Sequence, residues 1–291
     1  MKLKELYLIL LLSFSFIVTS NSQVSVPLTK NDLNDIRRER DFIKTMNINL
    51  SQTWLFMVRD NIISSNKLLI SEIVYNNDGL PYKMYFFDEN REINSFTVVK
   101  YNKELLPFEE IRFNADSVLI NGIMYEYDDN DLLSKQINYN NKAEIISILT
   151  NNRSNDSIYI NDYDSNNNLK EKSIIVLDNI NGADLIMKTL KLDKNNEPVQ
   201  KQIFEYDKMS SLHKKTIFEN GTNTGYKDFV YNEEGALLKS SLYNAEAMLI
   251  SSTSYEYDQY GNIDRIIERA EEDNNTKVFM INYLTKVSSD R

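Results

Sequence analysis

The chain has 291 residues, no cysteine, one histidine and a formal net charge of −10, and 42% of its residues are hydrophobic. A chain of this length can bury a substantial core without disulfides. The acidic balance opposes binding to nucleic acid and to anionic lipid, and one imidazole without cysteine leaves no set of side chains for a Cys/His metal site. We therefore expect no cofactor, no metal and no nucleic-acid partner.

Residues 1–22 are typical of a secretory signal peptide. Lys2 and Lys4 give a positive start, an apolar run of about a dozen residues follows, and small residues precede Gln23. A membrane-spanning helix needs roughly twenty apolar residues, so the alternative of a retained membrane anchor is disfavoured. Because no cysteine is present to carry a lipid, we expect a periplasmic or secreted protein that is not a lipoprotein and has no integral membrane segment after signal cleavage.

Residues 23–66 lie outside the repeat that fills the rest of the chain. Thr29 and Asp32 fit a helix N-cap, and Leu33 and Ile43 fall near one helical face. This pattern predicts a short amphipathic helix. Terminal segments of repeat proteins commonly cover an open end or edge, and we expect this segment to do the same.

Residues 67–291 repeat an aromatic residue about every 26 positions, with a second aromatic 12 residues after several of them. An Asn or Asp follows most of these aromatics directly, and glycine often comes four residues after the aromatic. Asx side chains start turns and glycine permits a positive φ, so each unit is typical of a β-hairpin. An ordinary all-β domain with evenly spaced hairpins is the alternative. The two sets of aromatics are Tyr75, Tyr101, Tyr127, Tyr206, Tyr231, Tyr257 and Tyr283, and then Phe87, Phe113, Tyr139, Phe218 and Tyr243.

A family resemblance rests on three copies of this unit. The segment 255–263 (YEYDQYGNI), together with 125–128 (YEYD) and 204–207 (FEYD), resembles the YD repeats of RHS-type bacterial surface and secreted proteins. The resemblance spans roughly residues 67–284, and it implies an exported repeat shell without implying a catalytic residue. The chain departs from the family because it has few glycines and nothing that corresponds to an effector domain. A weaker similarity is to bacterial MORN-variant repeats.

The repeat predicts an all-β fold. We expect a long antiparallel meander of roughly 16 strands, curled into an open barrel or shell, with a short N-terminal helix. A flat sheet of that width would leave too much apolar surface in water. An outer-membrane porin is the rival with a similar strand count. Charges at Lys170 to Lys172 and at Lys214 and Lys215 interrupt strands on both faces, which favours a soluble protein.

The candidate binding residues are aromatic: Trp54, Tyr125, Tyr127, Tyr255 and Tyr257. Rings of this kind offer an apolar face and a polar edge to sugars or peptides. The structural interpretation is that Trp54 belongs to the core and that the tyrosines form cross-strand ladders.

Catalytic and metal patterns are weak in this chain. His213 stands beside Lys214 with no nucleophile marked near it. Asp162 and Asp164 begin like a calcium loop, but the glycine and glutamate that such a loop needs are missing. The sequence therefore favours a non-catalytic binding or scaffold protein of the bacterial envelope, with a glycan or protein partner. A carboxylate-dependent glycan hydrolase and an immunity-type (antitoxin-like) partner of a toxin are the alternatives.

Overall fold

The computed structural model describes residues 26–59, 62–154, 156–180, 183–193, 195–271 and 275–285, so the predicted signal peptide lies outside the described residues. This part of the chain forms one helix followed by strands. The elements are α1 (Lys30–Thr45), β1 (Ile48–Arg59), β2 (Ile62–Tyr75), β3 (Pro81–Phe87), β4 (Ile93–Tyr101), β5 (Pro107–Asn114), β6 (Leu119–Tyr127), β7 (Leu133–Asn140), β8 (Ile145–Arg153), β9 (Ser157–Asp164), β10 (Leu169–Ile180), β11 (Ala183–Leu192), β12 (Pro198–Tyr206), β13 (Leu212–Glu219), β14 (Thr222–Tyr231), β15 (Leu237–Asn244), β16 (Leu249–Tyr257), β17 (Ile263–Ala270) and β18 (Asn275–Thr285).

The strands form one closed antiparallel barrel. From β2 to β18 each strand pairs with the strands before and after it in sequence, and β1 pairs with both β2 and β18. The prediction of an all-β antiparallel meander with a short N-terminal helix is confirmed. Two details are corrected: the described residues contain 18 strands rather than roughly 16, and the barrel is closed rather than open.

Closure has a specific cause in the segment that precedes residue 67. β1 fills the gap between the first and last hairpins, with Leu50 opposite Leu284 and Phe56 opposite Val278. Neither β1 nor the first half of β2 carries the aromatic-Asx pattern, so sequence spacing alone leaves them outside the repeat. Pairing on both sides removes the free edges that an open sheet would expose.

One turn geometry recurs at twelve places in the described residues. At Asp258 the backbone N–H donates to the Asn262 carbonyl (2.8 Å), and the carboxylate Oδ1 accepts from the backbone N–H of Tyr260 (2.8 Å) and of Asn262 (2.9 Å). The side chain thus satisfies donors that the reversal takes out of the strand ladder. The twelve turns begin at Asn76, Asp88, Asn102, Asn114, Asp128, Asn140, Asp164, Asp193, Asp207, Asn232, Asn244 and Asp258.

The third residue after each of these Asx residues has a positive φ, as the repeat predicted. Glycine fills the position at Gly79 (φ 78°) and Gly261 (φ 85°), but Arg91 (φ 65°) and Leu105 (φ 63°) adopt the same conformation. A left-handed non-glycine residue costs roughly 1–2 kcal/mol. The hydrogen bonds of the turn therefore impose the conformation even where the sequence lacks the residue that favours it.

The tyrosines that end β2, β4, β6, β12, β14 and β16 point into the barrel. In β6, Ile123 and Tyr125 are buried while Met124 and Glu126 are exposed, and Tyr127 packs on the buried side. The Tyr127 hydroxyl donates to the Pro107 carbonyl at 2.5 Å, which lies in the preceding hairpin. The same bond joins Tyr101 to Pro81, Tyr206 to Ile186 and Tyr257 to Leu237. Each hydroxyl ties one hairpin to the hairpin before it, which accounts for tyrosine rather than phenylalanine at this position.

The second set of aromatics lies at the other ends of the strands and on the outer face. Phe96, whose neighbours in β4 are buried on the inner face, stacks on Phe113 with ring centroids 5.1 Å apart. Tyr243 stacks on Tyr226 at 4.8 Å. These ring contacts stabilise the pairing of neighbouring strands.

Helix α1 crosses one end of the barrel, defined here as the helix end, where the turns at 76–80, 102–106 and 128–132 lie. Thr29 and Asp32 form a capping box, confirming the predicted N-cap, and Leu33 packs against Leu106 and Leu132. Asn31 donates to the Asp184 carbonyl (3.2 Å) at the start of β11. In the described part of the chain, no helix combines the length and apolarity needed to cross a bilayer.

Candidate functional site

The inner surface of the barrel has two regions of different chemistry. Near the helix end an apolar layer surrounds the inward tyrosines, and its buried members on β12 to β17 are Phe204, Leu212, Phe229, Leu237, Tyr255 and Ile263. Further from that end, polar side chains occupy the same face, where apolar residues would normally fill a core. We call this second region the polar lumen; its buried members include Glu110, Gln136, Gln202, Lys215 and Ser240.

The predicted residue Tyr125 lies in the polar lumen beside a carboxylate. Its hydroxyl donates to Glu110 Oε1 at 2.5 Å, and Glu110 is only 3% exposed. On β5, the strand that carries Glu110, the Arg112 guanidinium donates to Ser95 Oγ at 3.2 Å. Burial first, and then the charge of Glu110, raise the pKa of the Tyr127 hydroxyl well above its usual range. Tyr127 is therefore a neutral donor at physiological pH.

The structure separates the five predicted binding residues into three places. Tyr125 and Tyr127 share the inner face of β6, and Tyr255 and Tyr257 share that of β16. The hydroxyls of Tyr127 and Tyr257 are bound to backbone carbonyls. Trp54 lies on the outer face of β1, where its Nε1 donates to Gln52 and the Lys67 ammonium stands 4.1 Å from the ring centroid. They do not form a single aromatic platform.

A charged cluster on β9, β10 and β11 was missed by sequence reasoning. Asp162 faces Glu171 directly across the strand pair. Lys191 Nζ lies 2.8 Å from Glu171 Oε2, and Lys170 Nζ lies 3.8 Å from Asp162 Oδ2. Burial raises the pKa of Asp162, an effect that Lys170 opposes and Glu171 reinforces. Only the strand register reveals this cluster, because its members are spread over some thirty residues.

Asp162 also stood in the calcium-like pattern of the sequence. In the structure its neighbours are the ammonium of Lys170 and the carboxylate of Glu171. Among the described residues, no three acidic or histidine side chains are placed to hold a metal ion.

Two lysines face each other on β13 and β14, two to three strands further along the wall from β11. Lys215 on β13 is directly opposite Lys227 on β14, and Lys215 is 5% exposed. Burial, and then the charge of Lys227, lower the pKa of Lys215 to about 8. Burial also lowers the pKa of Lys227, against the opposing charge of Glu268. Two desolvated ammonium groups on neighbouring strands cost folding free energy. Such a pair is therefore unusual where side chains serve only to pack the barrel.

The helix contributes a carboxylate to the helix end of the barrel. Asp35 and Ile43 are buried on the inward face of α1, and Glu39 lies between them, one helical turn from each. Burial raises the pKa of Glu39 to about 7. The charged form of Glu39 is therefore disfavoured in the folded protein.

Glu39 is expected to make stability fall with rising pH. Between its ordinary pKa of 4.5 and about 7, the folded state holds more protons than the unfolded state, so the free energy of unfolding decreases across this window. Glu39→Gln should raise the free energy of unfolding by about 1–3 kcal/mol at pH 8 and much less at pH 5. Urea unfolding at both pH values measures the difference. Glu104→Gln, at an exposed turn residue, is the control; an equal gain at both pH values for Glu39→Gln would contradict the assignment.

Comparisons with known proteins return only remote structural similarity. No family model matches the chain, and no curated protein matches it. A porin-like protein from Bacteroides uniformis is similar over 81% of this chain and 98% of its own, with 7% identity and a TM-score of 0.42. A putative outer membrane lipoprotein-sorting protein domain from Vibrio parahaemolyticus is similar over 87% of this chain and 92% of its own chain, with 9% identity and a TM-score of 0.28. The Photorhabdus luminescens Tc holotoxin pore is similar over 83% of this chain and 17% of its own chain, with 8% identity and a TM-score of 0.22. These values assign neither a family nor an activity, and the resemblance to YD repeats stays a prediction.

Proposed function

We propose that the chain is an exported, non-catalytic binding protein of the bacterial envelope or secreted fraction, and that its polar lumen holds part of a glycan or of a protein partner. The observation that carries this proposal is that apolar side chains fill the barrel interior near the helix end, whereas polar and charged side chains line the rest of it. One end is covered by α1 and the apolar layer, whereas charged side chains on the inner face remain open to solvent: the side chain of Glu171 is 37% exposed and that of Lys191 41%.

The inner wall suits binding because its polar groups are held in fixed positions. Strand pairing on both sides fixes the backbone, and the Lys191–Glu171 ion pair and the Tyr125–Glu110 hydrogen bond fix the side chains. Groups that are already ordered lose little conformational entropy when a ligand arrives.

His213, the one imidazole of the chain, is exposed at the start of β13, away from the buried inner face that begins with Leu212.

One observation favours the hydrolase alternative. Asp162 and Glu171 are directly opposite on adjacent strands, where Cβ atoms lie roughly 4.5–5.5 Å apart. Their environments differ, because burial raises the pKa of Asp162 whereas Glu171 is paired with Lys191. Two neighbouring carboxylates in different environments are the arrangement of an acid/base pair.

A glycan array and a pull-down with residues 23–291 test the proposal. Replacing the inner ion pair with Glu171→Gln and Lys191→Met together should weaken capture at least tenfold without leaving a lone charge. The matched control is the outer pair Glu256→Gln and Arg265→Met, which also has a 2.8 Å contact and should leave capture unchanged.

The hydrolase alternative is tested in parallel with a general glycosidase assay. Turnover that is abolished by Asp162→Asn in a protein with unchanged circular dichroism would replace the binding proposal with the enzymatic one. Equal capture by the inner and outer double variants would show that the polar lumen is not the binding surface.

A further inference from the structure

A band of apolar side chains runs along the outer face of β3 to β10, at the end of the barrel opposite the helix end. Phe96 is opposite Phe113, Ile137 is opposite Ile148, and Ile148 is in turn opposite Tyr163. Directly opposite side chains lie roughly 4.5–5.5 Å apart, so each touches the next. We call this surface the outer belt and define it as the outward apolar residues of β3 to β10 that lie beside the turns at 88–92, 114–118, 140–144 and 164–168.

A glycine joins the two halves of the outer belt. Gly122 on β6 is opposite Tyr139 on β7, and a Cβ at residue 122 would lie 2.1 Å from the Tyr139 ring. The ring therefore lies directly over the β6 backbone, and its hydroxyl donates to Glu109 Oε1 on β5 at 3.0 Å. Because Tyr139 crosses β6 in this way, the belt continues from β5 to β7.

Polar groups limit the outer belt on both sides. At the next outward positions towards the helix end, Lys100 Nζ lies 2.6 Å from Glu109 Oε2, and Lys135 Nζ lies 3.1 Å from Glu126 Oε1. The Asx turns limit the belt on the other side. About two outward positions per strand lie between these limits, so the belt is roughly 10 Å high.

The strands beneath the outer belt carry polar side chains on their inner face. On β4, Ser95 and Thr97 are buried inside the barrel, whereas Phe96 points outward. On β7, Gln136 is buried inside and Ile137 points outward. A strand between a core and water has the reverse arrangement. These strands therefore indicate that the outer belt faces an apolar environment.

The wall formed by β12 to β17 has the usual arrangement. The apolar layer lies on its inner face, and on its outer face Ser241 is opposite Ser252, which is opposite Arg269. Strand pairing is equally regular in both walls. An apolar outer face is therefore not a general requirement of this fold.

The shape of the outer belt favours lipid over a second copy of the chain. The belt follows eight of the 18 strands of a closed barrel, so its surface is convex. Two convex belts touch over a few strands only, whereas a stable protein interface needs about 800 Å² from each partner. A fluid lipid layer follows a convex surface. The height of the belt also suits the depth of roughly 5–10 Å at which surface-bound elements enter the boundary between headgroups and acyl chains.

The charge around the outer belt indicates which lipid it meets. Lys83 Nζ stands 4.8 Å from the Tyr85 ring centroid and 4.6 Å from that of Phe96, so its ammonium lies at the edge of the belt, where a headgroup phosphate would lie. The net charge of −10 opposes an anionic surface. Zwitterionic lipid satisfies both conditions.

We propose that the outer belt binds the surface of a zwitterionic lipid layer, with Phe96, Phe113 and Tyr139 at the boundary between headgroups and acyl chains. The contact is reversible, because apolar residues occupy only one side of the barrel. This inference goes beyond the proposed function and uses the outer face of the barrel rather than the polar lumen.

Flotation of residues 23–291 with phosphatidylcholine vesicles tests the proposal. These residues lack the predicted signal peptide, whose apolar run would bind vesicles by itself. We expect the protein to float with phosphatidylcholine vesicles. Vesicles that contain phosphatidylglycerol should carry less protein at low salt, because the acidic chain is repelled.

Two double variants separate the outer belt from other exposed apolar residues. Ile93→Ser with Ile145→Ser, at positions 40% and 42% exposed, should weaken vesicle binding at least tenfold through the lost apolar contact. The matched control is Val230→Ser with Leu238→Ser, at positions 53% and 39% exposed on β14 and β15, and it should bind as the unmodified protein does. Circular dichroism checks that both variants fold. The lumen variant Glu171→Gln with Lys191→Met should also bind vesicles normally.

A fluorescence measurement locates the contact. In a Trp54→Phe background, phosphatidylcholine with brominated acyl chains should quench Phe113→Trp and leave Leu238→Trp unquenched. Quenching of both variants, or of Leu238→Trp alone, contradicts the proposed orientation.

The inference is overturned if phosphatidylcholine vesicles do not bind, if only anionic vesicles bind, or if the two double serine variants bind equally well. Analytical ultracentrifugation tests the other occupant. A stable dimer that Ile93→Ser with Ile145→Ser dissociates would assign the outer belt to a second copy of the chain and overturn the lipid proposal. A monomer that floats with phosphatidylcholine supports it.

Discussion

Gly79→Ala is expected to destabilise the protein by about 2–4 kcal/mol. Gly79 has a φ of +78°, and a Cβ added there would lie 2.3 Å from the Arg40 carbonyl oxygen of α1. The substitution therefore combines backbone strain with a clash between the first hairpin turn and the helix that covers the barrel end. Urea unfolding followed by circular dichroism gives the free-energy difference.

Gly221→Ala separates the two contributions. Gly221 also has a positive φ (+82°), but nothing lies within 4 Å of the position that a Cβ would occupy. We expect it to cost about 1–2 kcal/mol, the strain alone. Equal losses for the two variants would show that contact between the helix and the turn adds nothing to stability.

Leu212→Ala is expected to cost about 2–5 kcal/mol, because it opens a cavity in the apolar layer. Leu212 is 0% exposed and belongs to the cluster that includes Phe204, Phe229 and Tyr255. Thermal and urea unfolding measure the loss. Leu238→Ala, on the outer face of β15 and 39% exposed, should cost less than about 1 kcal/mol. A small loss at Leu212 would mean that the layer is not close-packed.

The hairpins could be predicted from sequence because their turns are specified locally. An Asx side chain bonds to backbone N–H groups two and four residues ahead, so the whole motif lies within a few residues, as at Asp258. The N-cap of α1 is local in the same way. The turn at Asp193 escaped the pattern because Leu192 replaces the usual aromatic, although its hydrogen bonds are the same.

Closure and the polar lumen could not be predicted, because both depend on strand register. Ser51 faces inward and Trp54 outward only because β1 pairs with β18 in one alignment, and a shift of one residue would exchange them. Likewise, Lys215 and Lys227 are twelve positions apart in sequence and become neighbours through the hairpin between them. That hairpin turns at Asn220 and Gly221, both with positive φ, and not through the repeated turn.

The place of β1 between β2 and β18 determines when the barrel can be completed during synthesis. Until the last strand has emerged, the nascent chain is a curled sheet with two bare edges, at β1 and at β17. Contacts across so much of the chain form slowly, and bare edges recruit other strands in the meantime. The barrel therefore closes only when β18 pairs with both β17 and β1. A chain that stops before Asn275 should associate with other copies of itself, because removing one strand does not produce a smaller closed ring.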